Sequence, residues 1–214
     1  MPQTEIDPKA HWEDVYASKS REDVSWFQRK AVVSMRLIRA AGATRVSNII
    51  DIGGGASCLP RELLDAGFGR ITVLDISRKA LERARQALAD RAGQVAWIDG
   101  DIRNASIQGP FDIWHDRAVL HFLTDPADRE QYLRVLLGAL SADGQAIIAT
   151  FAPDGPQRCS GLPVMRYDAA SIAATLGPHL EVVESVLEDH ITPGGKLQRF
   201  AWFRLCRRKA GTET

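Results

Sequence analysis

The stretch Asn48-Ile49-Ile50-Asp51-Ile52-Gly53-Gly54-Gly55-Ala56-Ser57 constrains this chain more than any other. An apolar run of strand length meets an acid and three glycines, and Leu59-Pro60-Arg61-Glu62-Leu63-Leu64 then reads as a helix. Strand, glycine turn and helix in that order form the nucleotide-binding entrance of a doubly wound sheet. Against the spacing G-x-G-x-x-G, Gly53 and Gly55 fill the first two positions and Cys58 falls on the third. A dinucleotide-binding turn uses glycine there for close helix–strand packing, so the departure favours another adenosine-bearing ligand.

The rest of the chain supplies the sheet that such a turn needs. Strands are expected at 46–52, 70–76, 94–98, 111–116 and 144–151, with helices between them. Ser77 caps a helix running to about Arg91, and Asp125-Pro126 caps another with Tyr132, Leu133, Leu136 and Leu140 on one face. Repeated strand–helix–strand units imply a parallel sheet with right-handed crossovers. After a helix capped by Asp168, the strand-like runs 180–191 and 197–207 are joined only by Thr192-Pro193-Gly194-Gly195-Lys196. A connection that short forces an antiparallel hairpin. Upstream, Asp7-Pro8 opens a helix through Tyr16, the polar stretch 18–24 breaks it, and a second helix is expected over 28–41. Residues 155–163, rich in Gly, Pro, Cys and Ser, read as a loop.

Charge and cysteine usage exclude several classes. Lys plus Arg number 27 and Asp plus Glu 27, so the basic excess of a general nucleic-acid or anionic-membrane binder is missing. The basic ending Arg204, Arg207, Arg208, Lys209 reads as a solvated tail, or else as a contact patch. Cys58, Cys159 and Cys206 are too few and too scattered for a disulfide framework or a zinc site, and no metal is expected. The start Met1-Pro2-Gln3-Thr4-Glu5 lacks the basic and apolar segments of a secretory signal, and no apolar run approaches membrane-spanning length. A cytoplasmic protein with a small-molecule substrate, and no nucleic-acid or membrane partner, is the expectation.

On Asp51-x-Gly53-x-Gly55-x-Ser57, Asp75 closing strand two, Gly100-Asp101-Ile102 after strand three and the terminal hairpin, the chain resembles a class I S-adenosylmethionine-dependent methyltransferase. The resemblance implies an α/β fold: a doubly wound, Rossmann-like, seven-stranded, mostly parallel sheet ending in an antiparallel hairpin, with the last strand beside strand five. It implies S-adenosylmethionine as cofactor. Gly53 and Gly55 would let backbone approach the methionine part and ribose. Asp51 would balance the cationic ammonium or sulfonium region, where an acid would repel a pyrophosphate. Asp75, with Ile76 beside it, would accept from the ribose hydroxyls, a feature shared with NAD-binding proteins. Asp101 would receive the adenine amino group, or else serve as a turn residue, and Ile102 would offer its backbone amide. The opening His11-Trp12-x-x-x-Tyr16 with Val24-Ser25-Trp26-Phe27 resembles a lid, so residues 1–45 are expected to form a helical lid on a methyltransferase domain over 46–214. Tyr16 and Trp26 would cover the sulfonium with aromatic faces, or simply pack a helix.

The acceptor side is expected at the carboxyl ends of strands four and five. His121 is a candidate general base, or a residue that packs the following helix. Asp116 and Arg117 are catalytic candidates, or an ion pair bracing the loop. The run Arg158–Tyr167 resembles a stretch of one uncharacterised branch of the family; in it Cys159 would touch a soft acceptor or pack as a small buried residue. Strand four leads into Asp116-Arg117-Ala118-Val119 rather than an Asn-Pro-Pro-Tyr-type motif, which disfavours an amide or exocyclic base nitrogen. A sulfur, selenium, metalloid, oxygen or amine acceptor stays open. So do a protein-lysine methyltransferase and a non-catalytic adenosylmethionine-binding module, while Asp51, Cys58 and the hairpin disfavour an NAD(P)-binding oxidoreductase.

Overall fold

A computed structural model of the protein describes residues 7–20 and 22–208. The pentapeptide Met1–Glu5 and Lys209, read above from sequence, lie outside them. Two helices come first, α1 (Pro8–Ser18) and α2 (Val32–Ala40). Then β1 (Asn48–Ile52), α3 (Leu59–Asp65), β2 (Arg70–Asp75), α4 (Arg78–Leu88) and β3 (Val95–Asp99) alternate. They are followed by β4 (Phe111–Arg117), α5 (Pro126–Ala139) and β5 (Leu140–Phe151). A short ribbon, β6 (Arg158–Cys159) with β7 (Leu162–Pro163), precedes α6 (Ala169–Leu176), β8 (Leu180–Ile191) and β9 (Leu197–Arg207).

The seven long strands form one sheet in the order β3-β2-β1-β4-β5-β9-β8. Pairs up to β4–β5 are parallel, while β5–β9 and β8–β9 are antiparallel. The expected fold is therefore found, with the last strand inserted beside β5. Because side chains alternate along a strand, Ile49 joins the core under α2 and α3 while Ile50 and Ile52 join the core under α5. Both layers are dry, which is why β1 reads as a continuous apolar run. Strand order turns at β1, with β2 on one side and β4 on the other, and a cleft opens there at the strands' carboxyl ends.

The capping signals hold. Asp7 accepts from Lys9 N, Ser77 from Ala80 N, Asp125 from Ala127 N, and Asp168 forms a reciprocal capping box with Ser171. Several boundaries moved. The second helix begins at Val32, not 28, because tertiary partners claim backbone groups ahead of it: Arg117 Nη1 donates to Trp26 O (2.9 Å) and Ala31 N donates to Glu62 Oε1 (2.8 Å). The helix after Ser77 stops at Leu88 and tightens into a 3₁₀ turn over 89–94. β5 starts directly from α5 at Leu140 rather than at 144, and the expected loop 155–163 contains the ribbon β6–β7. Among the described residues, no helix is long and apolar enough to cross a membrane.

Candidate active site

At the cleft lies a cavity of about 880 Å³. Its walls come from the turn after β1, the ends of β2 and β3, the segment after β4, the ribbon, β9 and the N-terminal segment. Gly53, Asp75, Ile76, Asp101, Ile102, Tyr16, Trp26, Arg117 and His121 all line it. Asp51, Gly55 and Asp116 do not.

The three glycines are each required, for different reasons. Gly53 has φ +66°, and a Cβ there would stand 2.2 Å from Val119 Cγ2. A Cβ on Gly54 would stand 2.2 Å from Asp51 Oδ2. Gly55 donates its N–H to Asp75 Oδ2 (2.9 Å), and a Cβ there would lie 2.4 Å from Ala80 Cβ. The expectation that Gly55 bares backbone to a ligand is corrected on this point: its missing side chain lets the β2 acid and α4 close onto the turn. Gly53 lines the cavity.

Asp75 is buried and bonded at both oxygens, Oδ2 to Gly55 N and Oδ1 to Ser77 N (2.8 Å), which fixes its direction toward the cavity. Burial pushes its carboxyl up to about 6. Asp51 sits in a buried chain that sequence reasoning missed: its Oδ1 and His115 Nδ1 are 2.7 Å apart, and His115 Nε2 is 3.0 Å from Ser34 Oγ. Its Oδ2 has no partner and is buried. Asp51 lines a side cavity of about 40 Å³ that shares Tyr16, Trp26, Gly53 and Arg117 with the main one. Asp101 accepts from Arg103 N (2.9 Å) and from the Arg103 guanidinium (2.6 Å to Nη2), and Arg103 also reaches Asp128 (3.1 Å). Asp101 is thus a turn residue that also faces the cavity.

Aromatic rings from the N-terminal segment roof this space. Trp12 stands edge-on to Trp26 (5.7 Å) and to Phe122 (5.0 Å), and Tyr16 edge-on to Trp26 (6.2 Å). Burial holds the Tyr16 hydroxyl well above its ordinary value, so it stays protonated. The segment is tied down elsewhere: Glu13 accepts from Arg78 N (2.6 Å), and His190 Nε2 is 2.7 Å from Ser25 O.

The pair Asp116-Arg117 divides across the sheet. Asp116 points into the α5 layer, where Oδ2 accepts from Tyr132 Oη (2.7 Å) and Leu120 N (3.1 Å), and Oδ1 from Val119 N (2.8 Å). It is a fully buried cap for the turn over 120–122, so both its catalytic reading and the ion-pair reading are corrected. Consecutive strand residues face opposite sides, which forbids that ion pair. Arg117 points the other way, its guanidinium 4.7 Å over the Phe200 ring. Arg117 Nε and Nη2 have no partner, and neither has either ring nitrogen of His121. His121 is wholly buried between Phe122 (4.4 Å) and Phe151 (4.9 Å), and burial, then Arg117, pushes it down to about 3. Cys159 also lines the cavity, with its thiol pushed up by burial. Gln198 and Phe200 are cavity residues that sequence reasoning passed over, since only the pairing of β9 with β5 brings them there.

Residues 50–146 match a family described as a methyltransferase domain. The chain is 26% identical over 138 residues to nodulation protein S of Rhizobium tropici, covering 64% of this chain and 57% of that protein. It is 27% identical over 105 residues to its counterpart in Sinorhizobium fredii, covering 49% and 48%. The chain thus spans about half the length of the curated relatives it matches. Among solved structures, a methyltransferase of Anabaena variabilis superposes with TM-score 0.74 at 17% identity, covering 95% of this chain and 96% of that one. The N-methyltransferase NodS of Bradyrhizobium japonicum, in complex with S-adenosylhomocysteine, superposes with TM-score 0.71 at 19% identity, covering 95% and 100%. At these identities the superpositions speak for the fold. The chain thus carries a match to a methyltransferase domain over residues 50–146, set in a fold it shares with these methyltransferase structures.

Proposed function

We propose that the protein, in the cytoplasm, binds S-adenosylmethionine along the β1–β2–β3 side of the cavity and methylates a small molecule held on the β4–β5–β9 side. The observation that carries this reading is Asp75, a buried carboxylate aimed into the cavity by two backbone N–H groups. The residues present fit the cofactor. Asp75 would take the ribose hydroxyls, and Ile102 and Asp101 would border the adenine. The unpartnered Asp51 Oδ2 would take the ammonium in the side cavity. The ring faces of Trp12, Tyr16 and Trp26 suit a sulfonium. Residues 1–45 act on this reading as a lid that excludes water from the domain over 46–214.

The chemistry supplied at the bound cofactor is an electrophilic methyl group: the acceptor's lone pair bonds to the methyl carbon, the carbon–sulfur pair stays on sulfur, and S-adenosylhomocysteine leaves. The chain's own residues align the acceptor and receive its proton. His121, kept neutral by burial, has a free ring nitrogen to accept that proton. The roof of Trp12, Trp26 and Phe122 supports a small acceptor over a protein lysine, which would need an open groove.

Calorimetric titration of the full chain with S-adenosylhomocysteine and, separately, NADH tests the cofactor. Micromolar binding of the former alone is expected, and preferential NADH binding would overturn the reading. Transfer of labelled methyl to a panel of small thiols, phenols and amines, with histone and whole-cell protein as macromolecular arms, tests the acceptor class. Label entering protein alone would favour the lysine reading.

A further inference from the structure

The acceptor side of the cavity holds an unusual set of unsatisfied groups. Arg117 Nε and Nη2, both ring nitrogens of His121, and Gln198 Oε1 are all buried without a hydrogen-bond partner. The three side chains come from different elements, β4, the turn after it and β9, and all line the same cavity. They surround a ladder of rings, with His121 4.9 Å from Phe151, Phe151 4.9 Å from Phe200, and the Arg117 guanidinium 4.7 Å over Phe200.

Charge is the decisive feature. Among the described residues, the Arg117 guanidinium forms no ion pair; its side-chain hydrogen bond runs from Nη1 to the backbone oxygen of Trp26. Glu188 and Asp51 pull on it only from further away. Glu188 is occupied by Gln28 Nε2 (2.9 Å) and Trp202 Nε1 (2.8 Å), while Asp51 is held by His115 at Oδ1 alone. A buried guanidinium with two free donor nitrogens is costly to maintain in a fold unless something of opposite charge arrives. Two parallel N–H donors match a carboxylate or phosphate in a way that a neutral oxygen does not.

We propose that the methyl acceptor is a flat organic acid whose anionic group pairs with Arg117, whose ring lies along Phe151 and Phe200, and whose N–H or O–H donates to Gln198. The inference rests on the methyltransferase reading of the same cavity and adds the acceptor's chemical class. Arg117 lies over Phe200 of β9 and lines both the main cavity and the side cavity beside Asp51. Its pairing also prepares the base. Arg117 is the second cause, after burial, that holds His121 low, and an anion on Arg117 offsets that cause when a proton must be accepted.

The test is calorimetry on the full chain saturated with S-adenosylhomocysteine, using matched probes: benzoate against benzamide, 4-hydroxybenzoate against 4-hydroxybenzyl alcohol, and phenyl phosphate. The acids are expected to bind at least tenfold more tightly than their neutral partners. R117Q is expected to abolish that preference, R117K to retain part of it, and Q198L to weaken 4-hydroxybenzoate but not benzoate. Equal binding of acids and neutral partners to the wild type would overturn the proposal, and this arm needs no variant to fold. It would also be overturned if R117Q lost affinity for S-adenosylhomocysteine while keeping the acid preference, because Arg117 would then hold the cofactor's carboxylate. A wild type that binds no S-adenosylhomocysteine at all would instead sink the methyltransferase reading.

Discussion

Gly55 and Asp75 hold each other in place: the Gly55 N–H donates to Asp75 Oδ2 over 2.9 Å, and a Cβ on residue 55 would stand 2.6 Å from the same oxygen. The glycine turn and the acid of the next strand are therefore one device, and a change at either should register at the other.

Gly55→Ala is expected to push Asp75 off its direction. Overpacking of this kind costs about 1–3 kcal/mol of stability, and affinity for S-adenosylhomocysteine should fall at least tenfold. Gly138→Ala is the control, since it lies in α5 and a Cβ there meets nothing within 4 Å; it should stabilise by about 0.5–1 kcal/mol. Urea unfolding and calorimetry read both, and a Gly55→Ala protein with unchanged affinity would remove Asp75 from the site.

Asp75 should make cofactor binding depend on pH. Its carboxyl is pushed from 3.8 to about 6 by burial, so the ionised acceptor that ribose needs is lost as pH falls through about 6. Affinity for S-adenosylhomocysteine should therefore weaken between pH 7.5 and 5, and Asp75→Asn should bind weakly at every pH in that range. Stability runs the other way. A raised folded-state value means the folded chain holds the proton more tightly, so this group's contribution is present below about 4 and lost as pH rises through about 6. Asp116 is pushed to about 6 by burial as well and adds to the stability slope. Asp116→Asn should flatten part of that slope while leaving the affinity profile intact.

Tyr132→Phe should cost about 1–3 kcal/mol, because the Tyr132 hydroxyl donates to Asp116 (2.7 Å) and accepts from Trp114 Nε1 (2.9 Å) in a buried network. Cofactor affinity should not move. A parallel loss of affinity would return Asp116 to the site.

His121→Phe should separate function from stability. Its two buried nitrogens are unpartnered, and replacing them with carbon removes a desolvation cost of about 1–3 kcal/mol. The variant should melt higher and turn over far more slowly, with little change in cofactor affinity. A lower melting temperature would mean that His121 packs rather than reacts.

The architecture is largely legible in the sequence, because strand and helix periodicity, capping residues and short connections are local signals. Val46–Ile52, the Ser77 and Asp125 caps and the 192–196 connection sufficed for a parallel sheet closed by a hairpin. The second helix starts four residues later than its periodicity predicts for a tertiary reason, since Glu62 and Arg117 hold the Ala31 N–H and the Trp26 carbonyl ahead of it.

What the sequence by itself determined is the turn, the acids that follow it and the sheet they serve, since each depends on neighbours a few residues away. Only the tertiary structure decided what those residues face. The pleat turns Asp116 into the α5 layer and Arg117 into the cavity, although they are adjacent in the chain. Pairing of β9 with β5 brings Gln198 and Phe200 beside His121 from some eighty residues away. Among the described residues, folding also leaves two guanidinium nitrogens of Arg117 and both ring nitrogens of His121 buried without partners. That want of partners depends on every element packed around them, so no stretch of sequence records it.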